Sequence, residues 1–130
     1  MDAGAIANYI TSTFPETTTA TAMGATFFFN DPAKMFPFAT IVTTDEHDQA
    51  SDLNRPGVFR LNIGVGKETF QSFVGTETTH DYKALDRLMP HPVYGQMYWL
   101  CVLNPSDATF ERVKPLLKEA HDVSAKRYVK

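Results

Sequence analysis

With 130 residues, 43% of them hydrophobic and 21% charged, the chain has a globular composition and room for one domain, taken as residues 1–130. The net charge is −3, with no basic run before Lys126, Arg127 and Lys130. This argues against duplex DNA or RNA as a partner, because such binding draws on clustered Lys and Arg. The single cysteine, Cys101, excludes an internal disulfide framework and a Cys-rich zinc site.

No stretch approaches the roughly 20 apolar residues of a membrane span, so no membrane association is expected. Residues 1–14 lack the basic head and apolar run of a signal peptide, and the expected location is the cytoplasm.

Residues 2–13 read as a short helix, capped by Asp2, with Ile6, Tyr9 and Ile10 on its buried face. Phe14-Pro15 ends it, because a residue before proline is pushed out of the α region. The polar, β-prone run at 17–21 suits an edge strand, and residues 26–29 form the next, closed by turn residues Asn30, Asp31 and Pro32. Residues 38–43 are a third strand, mainly β-branched and aromatic. Residues 58–65 are the clearest strand. Phe59, Leu61, Ile63 and Val65 alternate with Val58, Arg60, Asn62 and Gly64, giving one apolar face and one carrying polar groups.

A short helix over 67–74, with Phe70, Phe73 and Val74 on one side, stops at Gly75. A further helical pattern spans 81–89, from Tyr82 through Leu85 to Leu88 and Met89. Residues 97–103 are apolar on both faces, the mark of a covered central strand, in which Cys101 is inert packing. The last helix begins near Asn104-Pro105 and buries Phe110, Val113, Leu116, Leu117, Ala120 and Val123, with a kink or break expected at Pro115. Consecutive strands come first without crossover helices. The fold class is therefore α+β: a single antiparallel sheet of about five strands, with N- and C-terminal helices packed on one face.

Three loci carry candidate chemistry. Asp45, Glu46, Asp48 and Asp52, with His47 among them, could gather a divalent cation, or could form a solvated loop whose acids bond their own backbone. Arg60 and Asn62 point the same way from one strand. Arg60 could fork onto a carboxylate or phosphate of a ligand, face solvent, or bridge to an acid just upstream. His91 is held between Pro90 and Pro92, close in sequence to Tyr94, Tyr98 and Trp99, which could form a rigid turn or an aromatic-walled pocket. His80 and His121 read as isolated surface groups. No nucleophile elbow, phosphate-cradling loop or His-Glu-x-x-His is present, and no cofactor or metal ligand set is assigned.

The segments FPFATIV (36–42), RPGVFRLNIGVGKETF (55–70), ALDRLMPHPVY (84–94), WLCVLNPSDATFERVKPLL (99–117) and EAH (119–121) resemble a family of small bacterial proteins, mostly actinobacterial, that carries a domain-of-unknown-function label. The order of elements, with His-Pro before a Trp-containing strand and a C-terminal helix, is also similar to the MmcQ/YjbR-like group and to a luciferase-associated domain. That resemblance implies a compact α+β domain with an antiparallel sheet; it assigns no catalytic residue.

The expected function is a binding or accessory module that recognises a small molecule or protein partner on the exposed sheet face, through Arg60, Asn62, His91, Tyr94 and Trp99. Two other classes stand beside it. One is a cofactor-independent enzyme using His91 or His80 as general acid/base, oriented by an acid from 45–52. The other is a divalent-metal-binding acidic loop. An exposed aromatic face would also allow a homodimer.

Overall fold

The computed structural model of the protein describes residues 1–30, 36–76 and 79–128. Asp31 and Pro32 of the expected turn, and Lys130, lie outside the described residues.

Helix α1 (Ala3–Thr13) begins where the Asp2 carboxylate accepts the Ala5 N–H at 2.8 Å, and it buries Ile6 and Ile10, one turn apart. The hairpin of β1 (Thr18–Ala22) and β2 (Ala25–Phe29) turns on Met23-Gly24, both at positive φ, as a two-residue turn matched to strand twist requires. A side chain at Gly24 would overlap Thr44, so glycine is demanded there twice over. Strand β1 is exposed along its whole length, as a polar edge strand should be.

Strands β3 (Pro37–Val42), β4 (Arg60–Gly64), β5 (Met89–Pro90) and β6 (Trp99–Leu103) complete a single antiparallel sheet in the order β1-β2-β3-β4-β6-β5. Among the described residues there are thus six strands rather than about five, the extra one being the two-residue β5. Helix α2 (Lys67–Val74) stops at Gly75 as expected, although Phe73 is left exposed while Phe70 packs on Tyr98. Helix α3 (Asp107–Tyr128) closes the fold.

One sheet face is the apolar one read from the alternation in β4. Leu61 and Ile63 join Leu100 and Val102 of β6, Ala39 and Ile41 of β3, and the buried stripes of α1 and α3. Both terminal helices therefore pack on that face. The chain between β3 and β4 returns over the opposite face, where fully buried Leu53 packs with Val42, Met89, Cys101 and Leu103 into a second, smaller core.

Four local expectations need correction. Residues 81–89 are not helical: the Asp81 side chain caps a turn at Lys83, Asp86 takes positive φ, and its N–H is donated to Leu103 O at 2.6 Å. Long-range pairing to β6 within the chain wins over the weak helical spacing. Helix α3 starts later than Asn104-Pro105. Its cap is Ser106, whose hydroxyl accepts the Thr109 N–H, while Asn104 instead ties the strand ends by bonding Phe59 N and Gly57 O. The helix also runs unbroken through Pro115, because Val113, Leu116 and Leu117 on either side are held in the core. Finally, His121 is not a surface group; its ring stacks on Phe14 at 4.6 Å and meets Phe38 edge-on.

Candidate functional site

Because side chains alternate along a strand, Arg60, Asn62 and Gly64 of β4 face away from the helices, together with Thr40 and Val42 of β3 and Trp99, Cys101 and Leu103 of β6. The expectation of an open, wet face is overturned here. The 43–59 segment covers it, Arg60 is only 1% exposed, and Asn62, Thr40, Ser51 and His91 are buried beside it.

A guanidinium so deeply buried needs its charge and its donors answered. Asp48 supplies both, accepting from Nη1 at 3.0 Å and Nη2 at 2.6 Å in a bidentate pair. Ser51 Oγ accepts a further Nη1 bond at 2.9 Å, and Asn62 Oδ1 accepts from Nε at 3.0 Å. Asn62 then donates through Nδ2 to Thr40 Oγ1 at 2.8 Å. Of the readings open for Arg60, the bridge to an upstream acid is the one found. The Arg60 guanidinium, through this hydrogen bond first, holds the Asp48 carboxyl below the usual carboxylate range.

His91 enters the same network from the loop after β5. Its N–H and the Trp99 carbonyl extend the β5–β6 ladder at 2.8 Å. Its ring Nδ1 accepts two backbone N–H bonds, from Val93 and Tyr94, each at 3.0 Å. Nε2 lies 3.4 Å from Arg60 Nη2. Burial, aided by the Arg60 charge, pushes the imidazole down to about 4, so the ring is neutral at physiological pH. Cys101, fully buried with its thiol toward Pro90 O, is pushed up to about 12 by burial and is inert packing, as expected.

Thr40, Asp48, Arg60, Asn62 and His91 form the floor of a cavity of about 470 Å³. All five residues singled out from the sequence line it. Arg60, Asn62 and His91 lie at the buried floor, Trp99 is half-buried in the wall, and Tyr94 is 53% exposed at the rim. Asp48, one of the upstream acids open to Arg60 in the sequence, is the floor's anion; Thr40, and Phe36, Val93 and Met97 of the exposed apolar rim, join the cavity without having been singled out, and Ser51 supports Arg60 from behind it. The only signal for Thr40 was its place in a strand beside β4, which needs the register to be known.

The Trp99 indole sits close over Gly64, its cross-strand partner, where there is no side chain to displace it. A Cβ at position 64 would come within 2.9 Å of the indole Cε2 and Cζ2 atoms. Gly64→Ala is therefore expected to displace the indole and to cost about 1–3 kcal/mol from overpacking. Trp99 is the protein's single tryptophan, so its emission spectrum and a urea melt report both effects. Unchanged emission with unchanged stability would show that the wall is pliable.

The other candidates are not assembled. In the acidic loop, Asp45 accepts the Leu53 N–H, Asp48 holds Arg60 and Asp52 lies beside Arg55. Among the described residues no three His, Cys, Asp or Glu side chains are grouped to hold a metal ion. Nor, among the described residues, does an acid orient His91: its Nδ1 accepts backbone N–H groups, and Asp48 is bound to Arg60. His80 lies beside Tyr82, with ring centroids 6.1 Å apart. No helix among the described residues is long and apolar enough to cross a membrane.

No curated protein and no solved structure matches the chain. One family does, over residues 1–130, and the chain belongs to it: DUF6194, a family of unknown function.

Proposed function

We infer that the protein is a binding module that takes a small molecule into the cavity over Arg60, Asn62 and His91, with Tyr94 and Trp99 as its aromatic contacts. The observation that carries this reading is the pairing of a buried, convergent polar floor with an exposed apolar rim. A core needs neither: polar groups are costly to bury, and Val93, Tyr94 and Met97 are more than half exposed at one opening. About 470 Å³ lies within the range of ordinary small-ligand sites. A cytoplasmic setting and a relationship to MmcQ/YjbR-like domains are compatible with this reading, but the acidic charge speaks against carrying over nucleic-acid binding.

The test is a thermal-shift and Trp99-fluorescence screen of the whole protein against a metabolite library. Binding at about 100 times the dissociation constant stabilises a protein by about 2.7 kcal/mol, well within detection. Compounds that raise the melting temperature should also change Trp99 emission. Their affinity should fall about tenfold in a Tyr94→Ala, Met97→Ala double variant, whose exposed positions leave apo stability unchanged. A library without such compounds, or hits indifferent to the rim variant, would overturn the reading.

A further inference from the structure

The hydrogen-bond inventory of the floor narrows the ligand. Nδ1 of His91 accepts two backbone N–H bonds, so it carries no proton, and the neutral ring must bear its proton on Nε2. Four of the five Arg60 N–H groups are committed to Asn62 Oδ1, Ser51 Oγ and the two Asp48 oxygens. The fifth, on Nη2, faces His91 Nε2 at 3.4 Å. Both groups are donors, so they cannot satisfy each other. Asn62 adds a second Nδ2–H beyond the one given to Thr40. The floor is thus short of acceptors.

It is not short of negative charge. Asp48 neutralises Arg60 within the network, and the His91 ring is neutral. An anion entering the cavity would shed its hydration and meet a floor with no net positive charge. An uncharged oxygen acceptor sheds far less and finds the donors waiting.

We propose that the ligand is an uncharged molecule with a carbonyl oxygen on a planar apolar body, the oxygen accepting from His91 Nε2–H and Arg60 Nη2–H while the body lies against Trp99 and Tyr94. This rests on the cavity being a binding site, as inferred above. Carboxylates and phosphates are disfavoured, even though an arginine forms the floor.

Three matched probes separate the possibilities in an NMR titration of the whole labelled protein at pH 8: 2-acetylnaphthalene, 2-naphthoate and 2-naphthylmethylamine. The ketone is expected to shift resonances of the cavity residues and to bind about tenfold or more tightly than the carboxylate or the amine. Tighter binding of either charged probe overturns the ligand class and leaves the binding reading standing. If none of the three perturbs the cavity, both fall. His91→Asn places an amide oxygen where Nδ1 accepts but removes the Nε2–H donor. It should cost the ketone about tenfold in affinity while leaving the carboxylate unaffected. Should that variant fail to fold, the ring-nitrogen spectrum of the wild-type protein is decisive by itself: the Nε2–H tautomer supports the proposal, and the Nδ1–H tautomer overturns it.

Discussion

Asp48→Ala is expected to be the most damaging single substitution at the site, costing about 3–5 kcal/mol, because it leaves a fully buried guanidinium without a counter-charge. That is a large share of the roughly 5–15 kcal/mol that holds a typical domain together. The pair is not symmetric, however. Only 1% of the Arg60 side chain is exposed, whereas Asp48 keeps 14% of its surface exposed. Arg60→Met fills much of the vacated volume with a flexible apolar chain and leaves a carboxylate that water can reach. We therefore expect Arg60→Met to cost at least about 1 kcal/mol less than Asp48→Ala, and an Asp48→Leu, Arg60→Met double variant to recover most of the loss. Urea denaturation of the three variants measures this directly. Equal costs for the two single substitutions would mean that desolvation of Arg60 is not what the network answers.

The second large effect is a loss of stability in mild acid, centred on His91. The imidazole titrates at about 4 in the folded protein against 6.5 in the unfolded chain. Between those values the unfolded chain takes up a proton that the folded one refuses, so the unfolded state gains as pH falls. Stability is fully present above pH 6.5 and declines toward pH 4, by about 3 kcal/mol in all at about 1.4 kcal/mol per tenfold change in proton affinity. Asp48 acts in the same direction in a lower window. Its depressed carboxyl loses stabilisation as pH falls below the usual 3.8. The cation facing His91 is Arg60 and the anion within the same network is Asp48, which opposes the shift but does not cancel it. Unfolding midpoints at several pH values between 7.5 and 4, compared with those of His91→Asn, isolate the histidine because every other group titrates in both proteins. The difference between the two curves should change by about 3 kcal/mol across that range. Parallel curves would rule out His91 as the source.

Local grammar carried most of the fold into the sequence. The cap at Asp2, the Ile6–Ile10 spacing, the alternation in β4 and the stop at Gly75 are each decided by residues a few positions apart, and each element formed where those signals placed it. The failures at 81–89 and at Asn104 share one cause: in both, a backbone or side-chain group finds its partner on, or just before, a strand distant in sequence, and that bond outweighs a weak local preference.

The same division runs through the site. The sequence by itself determined that Arg60 and Asn62 share a face, that His91 is rigidly held, and that Tyr94 and Trp99 lie near it, because strand alternation and proline restraint are local. Only the tertiary structure decided that this face is covered, that Asp48 rather than solvent or ligand answers Arg60, and that His91 Nδ1 accepts two backbone N–H bonds. Those outcomes depend on how the 43–59 segment folds back over β4 and on backbone N–H groups converging on one ring nitrogen. Charge neutrality at the floor is a property of that convergence, and no pattern along the chain encodes it.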